Sequence, residues 1–149
     1  MTAELARQII EANSYLTLGT ADADGRPWAN PVWFAHDRFT DFVWVSRPGT
    51  RHSRNIAVRP DVGIVVFDST VPIGQGQAVY AEAVAAEIPE ASAEAAIALF
   101  SARSVAQGGH TWSVADVAGP AQFRLYRARA TAHYVLDGRD SRVLVSPGV

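Results

Sequence analysis

The sequence RPWANPVWFAHDRFTDFVWVS, at residues 26–46, decides the expected fold, because it holds two aromatic and β-branched runs with a polar break between them. Three of the four tryptophans of the chain lie in it. Runs of this kind are typical of antiparallel strands joined by a short turn. The stretch therefore predicts a strand from Arg26 to about His36, a turn near residues 36–38 and a strand over 40–46.

The remainder of the chain continues this pattern of short, turn-separated strands. Turn chemistry occurs at DADG, residues 22–25, and at DGRD, residues 137–140. Further strands are predicted at 15–21, 61–68, 77–88, 122–136 and 142–145, and helices at 2–13, 50–58 and 89–103. About seven strands with two or three flanking helices predict one mainly β domain, residues 1–149, folded as a closed or nearly closed antiparallel barrel.

The composition excludes several classes of function. A net charge of -2 gives no general attraction to nucleic acid. No apolar run approaches the ~20 residues of a membrane span, and the start MTAELAR is no secretory signal, so a cytoplasmic location is expected. The chain has no cysteine and no lysine, which excludes thiolate nucleophiles and Schiff-base chemistry. The four histidines show no metal-binding spacing, so no metal site is expected.

Two prolines make the predicted strand at 26–36 unusual. Pro27 and Pro31 are four residues apart, so one side of the strand lacks two backbone donors. The strand must lie at an edge, contain a bulge or border a gap. Trp28, Ala29 and Asn30 then have backbone groups free for a ligand, although a protected edge strand is the alternative.

The predicted helix at 50–58 begins with charges of the wrong sign. Thr50 is a good N-cap, but Arg51, His52 and Arg54 follow it. A helix N-terminus carries about half a positive charge, so cations there are unfavourable unless an anion is bound. The pattern favours an anion site, while arginines that are solvated or paired elsewhere are the alternative.

Together these features suggest a flat ligand with a phosphate group. The phosphate would lie at residues 50–54, within reach of the Ser46 hydroxyl. The ring would lie along the strand, against Trp28, Trp33 or Trp44. For each of these tryptophans, the alternative is a place in the hydrophobic core.

The segments RPWANPVWF (26–34), WVS (44–46), RHSRNI (51–56) and PDVGIVVF (60–67) resemble the pyridoxamine 5'-phosphate oxidase-like superfamily, the FMN-binding split barrels. The resemblance implies a six-stranded antiparallel split β-barrel that forms a homodimer, with FMN at the subunit interface. The residues that the resemblance places around FMN are Trp28, Ala29, Asn30, Pro31, Val32 and Trp33 beside the ring, Val45, Ser46, Thr50, Arg51, His52 and Arg54 near the phosphate, and Gln77 from the partner subunit. True pyridoxamine phosphate oxidation is not expected, because His52 replaces a lysine of the phosphate segment and a dedicated substrate region is missing.

The expected function is therefore that of an FMN-dependent oxidoreductase acting on a small-molecule redox substrate, with no catalytic side chain assigned. Within the same class, a deazaflavin coenzyme is the alternative to FMN. A non-catalytic flavin- or haem-binding module is the alternative of another class. His110 and Trp112 follow a glycine-rich loop and are candidates for a lid over the ligand, or for a purely structural loop. The GQG segment at residues 74–76 precedes a strand, so it is expected to be a hairpin loop and no dinucleotide fingerprint.

Overall fold

A computed structural model describes residues 2–136 and 141–149. The helices are α1 (Thr2–Ala12), α2 (Arg51–Val58) and α3 (Ala93–Ala106). The strands are β1 (Tyr15–Ala21), β2 (Pro27–Trp33), β3 (Ala35–Asp37), β4 (Asp41–Ser46), β5 (Asp61–Phe67), β6 (Ala78–Glu87), β7 (Arg124–Leu136) and β8 (Arg142–Val145). The turn that the sequence predicts at residues 137–140 lies outside the described residues.

All strand pairs are antiparallel and belong to one sheet of order β2-β1-β5-β6-β7-β4-β3, with β8 added to β7. The two ends of this order, β2 and β3, are joined in the chain by the single residue Phe34. A sheet whose first and last strands are neighbours in sequence must curl back on itself. Six long strands and two short ones therefore form the expected split barrel.

The predicted single strand from Arg26 to His36 is wrong, because the chain divides at Phe34. Before this residue β2 pairs with β1, and after it β3 pairs with β4. The Phe34 side chain is fully buried and its N–H donates to Ser14 O at 3.2 Å. The following turn is displaced to residues 38–40, where Arg38 and Phe39 have positive φ angles.

Of the three positions that the two prolines allowed, an edge, a bulge or a border to a gap, the structure shows an edge. β2 ends the sheet and is hydrogen-bonded to β1, with Pro31 opposite Thr17 and Pro27 opposite Ala21. Its other side has no strand along it within the described residues. The missing donors therefore cost no ladder hydrogen bond.

The core has two parts, one inside the barrel and one under α3. Alternate residues of β1, β4, β5 and β6 fill the barrel, and the buried face of α1 closes one side of it. The second cluster packs α3 against β4 and β7 through Ile97, Phe100 and Leu125. Because α3 covers the outside of the barrel near β3 and β4, the segment that follows it lies beside the open edge of β2.

Candidate functional site: a groove at the start of helix α2

Helix α2 begins as the sequence predicts, with Thr50 as its N-cap. Thr50 Oγ1 accepts a hydrogen bond from Ser53 N at 3.3 Å and lies 3.0 Å from Arg47 O, to which it donates. The N–H of Arg54 donates to Thr50 O. The first two N–H groups of the helix, those of Arg51 and His52, have no acceptor among the described residues, as expected for the first turn.

His52 and Ser46 form a buried polar pair beside this helix start. Ser46 Oγ lies 2.9 Å from His52 Nε2, and both residues are 8% exposed. Burial lowers the pKa of His52 below its usual value, so the imidazole is neutral in the folded protein at pH 7. A neutral imidazole and a hydroxyl supply directional hydrogen bonds here without a charge.

The arginines around α2 have protein partners. The Arg51 guanidinium lies 4.4 Å from the ring centroid of Trp28, and that of Arg47 lies 5.5 Å from the ring centroid of Phe123. Arg54 Nη1 donates to Gly49 O at 2.8 Å. These contacts hold the loop before α2 and keep two guanidinium groups close to the helix start.

A groove with a volume of about 490 Å³ opens next to the helix start. Its lining is contributed by β1, β2, β4, α2, α3 and the segments on either side of residue 112: Tyr15, Pro31, Val32, Trp33, Val45, Ser46, His52, Phe100, Ser104, Gln107, Gly109, His110, Trp112 and Phe123. The lining contains no lysine, arginine, aspartate or glutamate. Ser46 and His52 mark a polar end of the groove, and the aromatic rings mark an apolar end.

The groove brings together about half of the site residues that the sequence suggested, namely Pro31, Val32, Trp33, Val45, Ser46 and His52. Trp28 and Ala29 line a separate open depression near the first residues of β2, with Gly19 and Gly63. Gln77 lies in a third depression, between α1 and the loop before β6. Asn30 is half-buried on β2, and its Oδ1 has no hydrogen-bond partner.

Trp44 belongs to the core and offers no surface to a ligand. It is fully buried and stacks on Tyr126, with ring centroids 6.0 Å apart and planes at 12°. Of the three tryptophans in the deciding stretch, Trp33 alone lines the groove.

The sequence pointed to His110 and Trp112 as site residues, but it gave no sign that the other aromatic residues of the apolar wall line a groove. Phe100 is on the inner face of α3, and Phe123 comes just before β7. A phenylalanine in a helical apolar pattern looks like any core residue, so only tertiary packing reveals that Phe100 borders an opening. The glycine-rich loop before His110 was the available signal.

Two further classes of site were searched for in the described part of the chain. It contains no group of three histidine or acidic side chains that could hold a metal ion. Among the same residues, no helix combines the length and the apolar character needed to traverse a lipid bilayer.

Comparison with known proteins places the fold in one family. The model of the pyridoxamine 5'-phosphate oxidase family matches residues 2–137. No curated protein matches the sequence significantly. Among solved structures, the haem-binding protein of Mycobacterium smegmatis is similar at a TM-score of 0.73 and 22% identity, over 97% of this chain and 57% of that chain.

Two other solved structures cover most of both chains. HutZ, the haem storage protein of Vibrio cholerae, has a TM-score of 0.67 and 22% identity, over 87% of this chain and 91% of that chain. A Clostridium acetobutylicum protein of the pyridoxinephosphate oxidase family, related to general stress protein 26 of B. subtilis, has a TM-score of 0.67 and 10% identity, over 97% and 93%. At these identities the similarity establishes the shared fold.

Proposed function

We propose that this chain, which belongs to the pyridoxamine 5'-phosphate oxidase family, binds FMN in the groove beside α2 and acts as a flavin-dependent oxidoreductase in a homodimer. The observation that carries the proposal is that one groove joins a helix N-terminus to an aromatic-lined cleft. Ser46 and His52 line the groove and also lie at the helix start. This arrangement suits a ligand with a phosphate at one end and a flat ring at the other.

The residues present fit the phosphate end of FMN. Donors converge there from the free N–H groups of Arg51 and His52, and from the hydroxyl of Ser46. The Arg51 guanidinium adds a cation near the helix terminus. Backbone N–H groups and a guanidinium are the usual partners of a phosphate dianion.

The residues beside the ring also fit. Pro31, Val32, Trp33 and Val45 offer apolar surface from β2 and β4. The open side of β2 leaves backbone groups that are suited to the polar edge of a heterocyclic ring. When bound, FMN would supply the redox chemistry, while this chain binds and orients it and excludes water.

A second subunit is proposed to cover the outer face of the sheet. Ala29, Gly19 and Gly63 lie opposite one another on β2, β1 and β5 and form a flat row of small residues. Tyr15 and Phe67 are exposed on the same face. An exposed apolar surface of this kind favours a second copy, and the role of Gln77 in the partner's site is carried by the family resemblance.

Titration with three cofactors tests the proposal. FMN, a deazaflavin coenzyme and haemin are added separately to cofactor-free protein, and absorbance and flavin fluorescence are recorded. We expect micromolar or tighter binding of FMN, followed by bleaching of its absorbance when a nicotinamide donor is added without oxygen. Protein that binds the deazaflavin and ignores FMN would support the other coenzyme, and protein that binds neither would defeat the flavin proposal.

The dimer is tested with Gly63→Arg. A Cβ at Gly63 meets no atom within 4 Å, so the monomer tolerates the side chain. A bulky cation on the outer face would nevertheless separate two subunits that meet there. We expect light scattering after gel filtration to give a dimer for the parent and a monomer for the variant, and a dimeric variant would place the interface elsewhere.

Haem binding is the second candidate function, and His110 is the observation that favours it. His110 is exposed and lines the apolar end of the groove, where its imidazole could bind the iron of a haem. Two structurally similar proteins are described as binding or storing haem. If haemin binds with a sharp Soret band that His110→Ala removes, while FMN does not bind, the haem function replaces the flavin function.

A further inference from the structure

The apolar end of the groove is built by residues 107–112, here called the wall segment, together with two phenylalanines. The Trp112 ring lies edge-to-face on Phe100 at 5.4 Å and on Phe123 at 6.2 Å. Phe100 in turn lies edge-to-face on Trp33 of β2 at 4.6 Å. The wall segment is therefore in continuous aromatic contact with the strand proposed to run beside the flavin ring.

Hydrogen bonds fix the wall segment to α3. Gly109 N donates to Ser104 O at 2.7 Å, and Ser104 Oγ donates to His110 O at 2.8 Å. Trp112 N donates to Ser101 Oγ at 2.8 Å. A Cβ at Gly109 would overlap the Ser104 side chain, so only glycine fits this close turn. The segment is a rigid part of the groove, held before any ligand arrives.

Two polar side chains of the wall segment face the groove. Gln107 Oε1 accepts a hydrogen bond from Trp33 Nε1 at 2.7 Å, which leaves the amide N–H₂ of Gln107 as a donor. His110 stacks on Trp112, with ring centroids 4.7 Å apart and planes at 30°. Both side chains line the groove, so a ligand there meets an amide and an imidazole beside flat aromatic surfaces.

The side chains that line this end include no lysine, arginine or carboxylate, and the Arg47 guanidinium, 5.5 Å from the Phe123 ring centroid, is not part of the lining. The arginine of α3, Arg103, is held by the backbone oxygens of Ile10 and Asn13 and by Glu11. Burying an unpaired charge is expensive, so the lining selects against anions and cations alike.

We propose that the apolar end of the groove is the substrate site and takes an uncharged, planar aromatic compound, such as a quinone or a neutral heteroaromatic ring. This proposal rests on FMN lying with its phosphate at the polar end of the groove and its ring beside Pro31, Val32 and Trp33, which leaves the wall segment to the substrate. The substrate ring stacks against the surface of His110 and Trp112, and the Gln107 amide donates to a carbonyl or ring acceptor on it. A phosphorylated substrate is rejected for want of a partner for its charge.

A matched pair of probes, one neutral and one charged, tests whether the site rejects charged ligands. The binding of 1,4-naphthoquinone and of 1,4-naphthoquinone-2-sulfonate to oxidised, FMN-loaded protein is measured by equilibrium dialysis, which needs no turnover. The chain has no cysteine or lysine that would add covalently to the quinone. We expect the neutral probe to bind at least about tenfold more tightly than the sulfonate, because the sulfonate charge is left unpaired.

Two variants locate the probe. Trp112→Leu and His110→Ala should each weaken naphthoquinone binding about 3- to 10-fold, the scale of one lost aromatic stack. Val105→Ala, on α3 just before the wall segment but exposed and outside the groove, is the control and should change nothing. Thermal unfolding of each variant checks folding, and His110→Ala serves alone if Trp112→Leu is unfolded, since His110 is exposed.

The outcomes separate this proposal from the one on which it rests. If FMN does not bind, both are overturned. If FMN binds and the two probes bind equally, or if neither variant weakens the neutral probe, the substrate site is overturned and the flavin site stands. Preferential binding of the neutral probe, lost in both variants, supports the substrate site.

Discussion

Replacing Arg51 with alanine is the most direct test of the phosphate site. Arg51 occupies the first position of α2 and stacks on Trp28, with its guanidinium carbon 4.4 Å from the ring centroid. The proposed function gives this side chain a second role, as a partner of the FMN phosphate. The two roles make different demands, so their energies can be measured separately.

The stacking role affects folding and the phosphate role affects binding. An exposed cation–π contact is worth about 0.5–1 kcal/mol, which for a chain of this size lowers Tm by roughly 1–4 °C. Loss of a charge-assisted hydrogen bond to phosphate costs about 1–3 kcal/mol of binding free energy. That loss corresponds to roughly a 5- to 150-fold rise in the Kd for FMN.

The assay compares FMN with riboflavin, which has the same ring and no phosphate. Fluorescence titrations are made with the parent protein, Arg51→Ala and the control Arg142→Ala. Arg142 makes the same kind of contact, its guanidinium carbon 4.9 Å from the ring centroid of Tyr80, but it lies on β8. We expect Arg51→Ala to weaken FMN alone, and Arg142→Ala to leave both affinities unchanged.

Two results would refute the reasoning. An equal loss for FMN and riboflavin would mean that Arg51 shapes the ring site through Trp28 and does not contact the phosphate. An unchanged FMN affinity in a folded Arg51→Ala variant would mean that the phosphate lies elsewhere. Repeating the FMN titration at high salt adds a check, since a contact with Arg51 should make the affinity of the parent more salt-dependent than that of the variant.

Three further predictions concern stability, each measured by urea unfolding. Thr50→Ala removes the N-cap of α2 and should cost about 1 kcal/mol, whereas Thr50→Ser should cost little. Gly109→Ala should lower the free energy of unfolding by about 1–3 kcal/mol through overpacking against Ser104. An unchanged free energy of unfolding would show that the wall segment can shift to accommodate the methyl group. Burial lowers the folded-state pKa of His36, His52 and His133. The unfolded chain therefore binds protons more readily than the folded chain. The free energy of unfolding should be highest above pH ~6.5 and fall as the pH drops below it. A flat profile between pH 7.5 and 5.5 would contradict this assignment.

Local chemistry explains which parts of the fold could be predicted. The parity of Pro27 and Pro31 predicted that one side of the strand lacks a full ladder, because a missing N–H is a property of the residue itself, and the structure shows that β2 is an edge strand. The break at Phe34 was not predictable in the same way, since aromatic and β-branched residues continue on both sides of it. The division exists because the sheet closes, and closure depends on strand order, which no local pattern encodes.

The same distinction holds for the groove. Ser46 and His52 were found from the sequence because they lie next to a recognisable helix start. Phe100 and Phe123 were missed, since they reach the groove only through the packing of α3 on β4 and β7. The polar end of the site is thus a local feature of the sequence, and the apolar end is a product of tertiary structure.

The structure also refines the argument from the positive charges near the N-terminus of α2, which are unfavourable unless an anion is bound. Arg54 is held by Gly49 O and Arg47 lies over Phe123, so both have reasons to be present that need no anion. The charge argument therefore depends on Arg51, whose partner Trp28 is partly exposed. The stronger support for an anion comes from the free N–H groups of Arg51 and His52, because unpaired donors at a helix start favour an anion whatever the arginines do.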